Sequence, residues 1–153
     1  LAVLLGRDAK NIAAKDALSY VAGYAAANDI TARWWQKHGS GGQFVRGKSF
    51  DSFCPIGPWQ FAGEVPDPQA LRIVTTLNGD VVQEGATADM IFSVQEIIAH
   101  LSQDTTLPAG TVLLTGTPSG VGAGKTPPRF LRGGDSVEVS IAGVGTLRNP
   151  VQA

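Results

Sequence analysis

Apolar residues recur along the chain in short blocks broken by glycine, proline and Asn-Gly or Asn-Asp pairs, a pattern that predicts many short strands and few helices. The opening Leu1-Ala2-Val3-Leu4-Leu5-Gly6 reads as the middle of a strand. Ala13 to Leu18 holds good helix formers over too short a run to stand alone, so one short helix is expected there. Tyr20 to Ala27 mixes Val, Tyr and small residues around Gly23 and stops at Asn28-Asp29, which favours a core strand. Thr31 to Lys37 suits a short helix with Asp29 or Thr31 as its N-cap, followed by a glycine-rich flexible loop from His38 to Gly42.

Further strands are expected over Pro55 to Phe61, Leu71 to Leu77, Val81 to Glu84, Thr111 to Thr115, Asp135 to Ile141 and Gly145 to Arg148. Asn78-Gly79 supplies a type I′ hairpin turn, because both residues tolerate positive φ. Met90 to Leu101 places apolar residues at 91, 92, 94, 97, 98 and 101, close to helical spacing. Gly116 to Gly134 has no hydrophobic period and predicts a long ordered loop of the kind that carries function. Strands outnumber helices and no βα unit repeats, so the expectation is one β-rich α+β domain over residues 1–153.

Composition narrows the function classes. A hydrophobic fraction of 43% supports a core, and a net charge of −1 gives no reason to expect nucleic acid or an anionic membrane as partner. The single Cys54 excludes an intrachain disulfide and leaves the compartment open, a reducing one fitting easily. No apolar run approaches the about 20 residues of a spanning helix, and no basic leader precedes an apolar stretch. Arg33, Trp34, Trp35, Lys37, His38, Arg46 and Lys48 could form a basic aromatic patch for single strands, but the near-neutral chain favours core or dimer contacts for the tryptophans. Met90, Ile91 and Phe92 are expected in the core or a pocket wall. Gly120 to Thr126 imitates a phosphate-binding loop, yet Ser119 stands where its first glycine belongs, and Pro127-Pro128 removes donors from the helix start.

Two charged residues stand out. Asp29 falls where extended chain gives way to a turn, a seat shared by helix caps and metal-ligating acids. Lys48 lies near Phe50, Phe53, Cys54 and Pro55, where an ammonium group either loses basicity or finds an anionic partner. Arg33 and Gln36, four and seven residues beyond Asp29, would share its face on a helix, either to contact substrate or to pair on the surface.

The motifs G-Y-x-x-x-N-D-I-T-A-R, G-K-S-F-D-S-F-C-P-I-G-P, M-I-F and L-L-T-G-T-P-S-G-V-G occur in order over nearly the whole chain. Together they resemble the fumarylacetoacetate hydrolase (fumarylacetoacetase) family, and K-T-P-P-R-F-L points to one branch of it. The resemblance implies an irregular β-roll of mixed strands with a metal cleft at its mouth. It implies Asp29 as a ligand of Mg²⁺ or Mn²⁺, Lys48 as a catalytic cation facing the substrate carbonyl or enolate, and Arg33, Gln36, Gly116 and Thr117 as substrate contacts. Gly120, Gly122 and Gly124 are expected to serve the turn alone.

The family pattern also has a Glu-x-Glu pair just ahead of the segment matching Leu1 to Gly6, and an upstream lid carrying a His and a Glu, so the chain reads as an N-terminally truncated catalytic domain. Where the family has an acid after the arginine, this chain has Trp34, which leaves no salt bridge at that position. The implied activity is a metal-dependent reaction of small 2-oxo or 1,3-dioxo acids through a metal-bound enolate: C–C hydrolysis, or oxaloacetate tautomerisation or decarboxylation. A homodimer in the cytoplasm or mitochondrial matrix, not secreted, is expected. The alternative is a non-catalytic binding or dimerisation module of the same fold.

Overall fold

In the computed structural model, which describes residues 1–152, the strands are β1 (Ala2–Leu5), β2 (Val21–Ala27), β3 (Ile56–Phe61), β4 (Arg72–Leu77), β5 (Asp80–Ala86), β6 (Val112–Leu114), β7 (Ser136–Ile141) and β8 (Gly145–Pro150). One α-helix, α1, covers Val94–Leu101. The strands form two four-stranded sheets, ordered β3-β2-β1-β6 and β5-β4-β7-β8. The β-rich α+β class stands as expected, and the ladders of the roll are antiparallel throughout rather than mixed in direction.

Register explains the second sheet. Ile73, Thr75 and Leu77 alternate on one face of β4 and sit opposite Ile141, Val139 and Val137 of β7, and all six side chains are buried. Each buried Val, Leu or Ile contributes about 1.5–3 kcal/mol of transfer free energy, so a one-residue slip would expose the whole stripe. In the first sheet β2 lies between two neighbours and is buried from Gly23 to Ala26. Small residues are required there: a Cβ on Gly23 would stand 2.7 Å from the Gln60 carbonyl oxygen. Burial, then the nearby Asp67 carboxylate, pushes the Tyr24 phenol up to about 12.

Local chemistry sets the turns. Asn78 and Gly79 adopt φ of 55° and 90°, making the two-residue link from β4 to β5. Helix α1 starts later than the apolar spacing suggested, because Ser93 and Glu96 close a capping box in which each side chain accepts from the other's backbone N–H. Met90 is extended, and Ile91 and Phe92 remain exposed, lining a smaller cavity of about 480 Å³ instead of joining the core. The short helix near Ala13 is a 3₁₀ helix, Ala14–Tyr20.

The segment after β2 departs most from expectation. Neither Asp29 nor Thr31 caps an α-helix: helical winding begins at Arg33 and continues as a π-helix over Trp35–Gly39, with no side-chain cap at its start. Wide winding seats Gly39 under the two indoles, where a Cβ would stand 2.3 Å from the Trp34 ring. Trp34 and Trp59 are 63% and 42% exposed, so neither occupies the core.

Candidate active site

The chain leaves β2 at Ala27 and is strapped at once to the segment that follows the π-helix. Asn28 N–H donates to the Pro55 carbonyl at 3.1 Å, and Ala32 N–H to the Gly47 carbonyl at 2.8 Å. Gly47 is buried, and a Cβ there would meet the Gln36 nitrogen at 2.9 Å, so glycine permits the approach. These straps bring Lys48, last residue of the 3₁₀ turn Val45–Lys48, onto Asp29. Its ammonium group forms an ion pair with the Asp29 carboxylate and donates to Thr31 Oγ1 at 3.1 Å. The lysine has thus found the anionic partner its apolar surroundings called for.

Behind this pair the segment is knitted by aromatic rings. Trp34 meets Trp35 edge-on at 5.2 Å, Trp35 meets Phe50 at 5.9 Å, and Phe50 meets Phe53 at 5.5 Å. The Arg46 guanidinium lies 4.3 Å from the Phe50 ring centre and 5.6 Å from that of Trp35. Cys54 stands close by with φ of 57°; burial, and next the Asp29 carboxylate, push its thiol up, while Lys48 acts in the opposite direction.

The facing wall is the stretch after β6. Thr115 N–H and Oγ both donate to the Leu1 carbonyl, at 3.0 and 3.1 Å, which fixes the start of the loop on β1. Gly116, with φ of 104°, then turns the chain so that Thr117 faces β5. There the Gln83 amide donates to Thr117 Oγ1 at 2.9 Å and to the Pro118 carbonyl at 2.8 Å. Gly120 lies so near β5 that a Cβ would meet the Val82 carbonyl at 2.4 Å, and one on Gly122 would meet that of Arg129 at 1.9 Å. A Cβ on Gly124 has room, so that glycine is not demanded by contact. At its far end the loop is held by Asp135, whose carboxylate accepts from the Asn78 amide and the Arg132 N–H; those two bonds, in that order, keep its carboxyl below the usual range.

Between the walls lies a cavity of about 1070 Å³ that opens between the two sheets. Asp29, Arg33, Lys48, Gly116 and Thr117 all line it. Gln36 does not; it stands behind Arg33 and accepts from the guanidinium at 2.9 Å. Because Asp29 precedes the helical turn, no shared helix face unites it with Arg33; the cavity does. Sequence reasoning missed Gln83, Lys125 and Arg129, which also line it. The two cations sit in the glycine-proline tract, where only their placement in a long loop hinted at a role. Lining charges are Arg33, Lys48, Lys125 and Arg129 against Asp29 alone, in a chain of net charge −1. Such a chamber favours an anionic ligand.

A hard divalent cation takes about six oxygen donors. The described residues hold no group of three His, Cys, Asp or Glu side chains suited to one, and Asp29 offers a single carboxylate already engaged by Lys48. These residues alone do not make a metal site. Among the described residues no helix is long and apolar enough to cross a membrane.

Known proteins share this fold and nearly half of this sequence. The chain is 46% identical over 152 residues to the oxaloacetate tautomerase YisK of Bacillus subtilis, covering 99% of this chain and 50% of that protein. It is 45% identical to the human mitochondrial oxaloacetate tautomerase FAHD2A, covering 99% of this chain and 48% of the relative. The chain therefore spans about half the length of the curated relatives it matches. Among solved structures it superposes on a fumarylacetoacetate hydrolase of Exiguobacterium antarcticum with a TM-score of 0.95 at 42% identity, over 99% of this chain and 54% of that one. A 2-hydroxyhepta-2,4-diene-1,7-dioate isomerase of Mycobacterium marinum gives 0.88 at 42% identity, over 99% and 56%. The fumarylacetoacetate hydrolase C-terminal pattern matches residues 1–152, and the chain belongs to that family.

Proposed function

We propose that residues 1–153 are the catalytic domain of an enzyme that acts on small 2-oxo or 1,3-dioxo acids through an enolate, with oxaloacetate keto–enol tautomerisation as its leading reaction and hydrolytic C–C cleavage or decarboxylation as relatives of it. The observation that carries this reading is the convergence of Lys48, Arg33 and Thr117 on one cavity with an excess of positive charge. In tautomerisation a proton leaves the carbon beside the carbonyl while negative charge gathers on the carbonyl oxygen. The Lys48 ammonium, fixed in place by Asp29 and Thr31, compensates that charge. Arg33, steadied by Gln36, binds the substrate carboxylate, and Thr117 beside the Gly116 turn donates to its other end. The names of the relatives, tautomerases and isomerases of oxo acids, support the same substrate class.

Divalent-metal dependence is general in this family, and Mg²⁺ or Mn²⁺ is the proposed ion, since Asp29 is a hard oxygen donor. Its remaining protein donors would come from outside the described residues. The ladder pairing Ala2 with Ala25 supports this, because a strand continuing β1 backward in the same register would run beside Ala27 to Asp29. Exposed Phe61, Ile91 and Phe92 give the protein apolar surface for a second copy, and a homodimer of the cytoplasm or mitochondrial matrix is proposed on that basis and on the mitochondrial relatives.

The test is a direct assay of the full-length protein with Mg²⁺ or Mn²⁺ supplied. Accelerated decay of enol-oxaloacetate without loss of carbon skeleton supports tautomerisation, and pyruvate release from acylpyruvates supports hydrolysis. Absence of both overturns the enzyme reading and leaves a binding or dimerisation module of the same fold.

A further inference from the structure

The geometry points to Gln83 as the positioning residue that holds Thr117 Oγ1 as an acceptor, leaving the threonine hydroxyl proton for donation into the cavity. This deepens the functional reading above and rests on it. The amide's orientation is dictated by its backbone partners. Gln83 Nε2 lies 2.8 Å from the Pro118 carbonyl oxygen and 3.5 Å from that of Ser119. Carbonyl oxygens only accept, so the atom facing them must be the NH₂ nitrogen and not the amide oxygen.

That nitrogen has no lone pair to offer and carries two protons. One goes to Pro118, and the other reaches Thr117 Oγ1 at 2.9 Å. Thr117 Oγ1 is therefore the acceptor in this bond. Its own proton is left free, and Thr117 lines the cavity that holds Lys48 and Arg33. A hydroxyl free to rotate would be donor or acceptor as the ligand required. One whose oxygen is already held by an accepted bond has one fewer site to accept with and keeps its proton for the ligand, which suits an anionic oxygen.

The surrounding backbone makes the arrangement rigid. Gly120 packs against the Val82 carbonyl and Gly122 against that of Arg129, at separations that admit no side chain, while Pro118 packs over Gly85 of β5. Gln83 is thus the side-chain link between β5 and this part of the loop, and it lies 34 residues from the threonine it orients.

The test uses the full-length protein in Mg²⁺ buffer, with Gln83→Met, which keeps length and volume but has no donor, Gln83→Ala, Thr117→Val and the double variant Gln83→Met/Thr117→Val. Two readouts are taken: turnover of enol-oxaloacetate, and calorimetric affinity for oxalate, a planar dianion. Gln83→Met is expected to lower kcat/KM and oxalate affinity about tenfold each with an unchanged melting temperature. On the Thr117→Val background the same change should cost less than twofold, because no hydroxyl remains to orient. Equal losses on both backgrounds, or no loss in Gln83→Met, would overturn the assignment. If the wild-type protein binds oxalate but turns over no oxo acid, the enzyme reading fails while the affinity cycle still decides the role of Gln83. If it does neither, both fall. Should Gln83→Ala melt early, the Gln83→Met cycle by itself decides between these outcomes.

Discussion

Two irregular segments face each other across the cavity, and they are ordered by different means. Residues 28–55 are strapped by two backbone bonds and then knitted chiefly by side chains: a chain of aromatic rings, the Arg46 stack and the Lys48–Asp29 pair. Residues 115–135 are held chiefly by backbone, with glycines pressed against the carbonyls of Val82 and Arg129 and side-chain links at Thr115, Gln83 and Asp135. The first wall carries Arg33 and the Lys48–Asp29 pair; the second carries the Gln83–Thr117 link and the cations Lys125 and Arg129. Substitution should therefore act through chemistry and packing on one side and through steric fit on the other.

The largest expected effect is at Lys48. Lys48→Met should reduce kcat of the full-length protein about 10²–10³-fold, the range for loss of one group that stabilises developing charge. Its melting temperature should barely move, since a partly exposed ion pair contributes only about 0.2–1 kcal/mol. Steady-state kinetics beside scanning calorimetry reads both, and a large fall in melting temperature would mean that the pair serves the fold.

On the facing wall, Gly122→Ala should lower kcat/KM by about tenfold, because its Cβ must displace the Arg129 carbonyl, whereas Gly124→Ala, which has room, should be silent. Equal effects at the two glycines would break the contrast between the walls. Phe50→Ala removes the ring at the centre of the aromatic chain and should cost about 1–2 kcal/mol in denaturant unfolding.

The smallest effect is electrostatic. Burial, and next the Asp29 carboxylate, push the wild-type Cys54 thiol above its ordinary value. Asp29→Asn removes the second cause and leaves the first, so the thiol pKa should fall while staying above its ordinary value. Alkylation by iodoacetamide should then quicken a few-fold near pH 8. A slower reaction would show that Asp29 does not act on this thiol through its charge.

How much of this is legible in the sequence follows the range of the interactions. Asn78-Gly79 announces its turn because the needed φ values belong to those two residues. Apolar spacing that runs on through Met90 to Phe92 sets the start of α1 too early, although Ser93 and Glu96 already spell a capping box. The π-helix is illegible, because it depends on how two indoles settle over Gly39. Asp29 and Lys48 stand 19 residues apart, and no periodicity joins them; the family motifs draw attention to both. Gln83 escapes notice for the same reason, its partner lying on a distant loop.

The inner surface of the cavity is formed by Ile73, Thr75 and Leu77 of β4 and Val137 and Val139 of β7, the same stripe whose register closes the second sheet. The chamber and the hydrophobic interior thus share a partition. Trimming a side chain on that partition, as in Val139→Ala, would enlarge a space already continuous with water instead of sealing a void inside the protein. Evolution can therefore retune the length of ligand admitted by editing strand residues far in sequence from every charged group, at a lower cost in stability than a hole elsewhere in the interior.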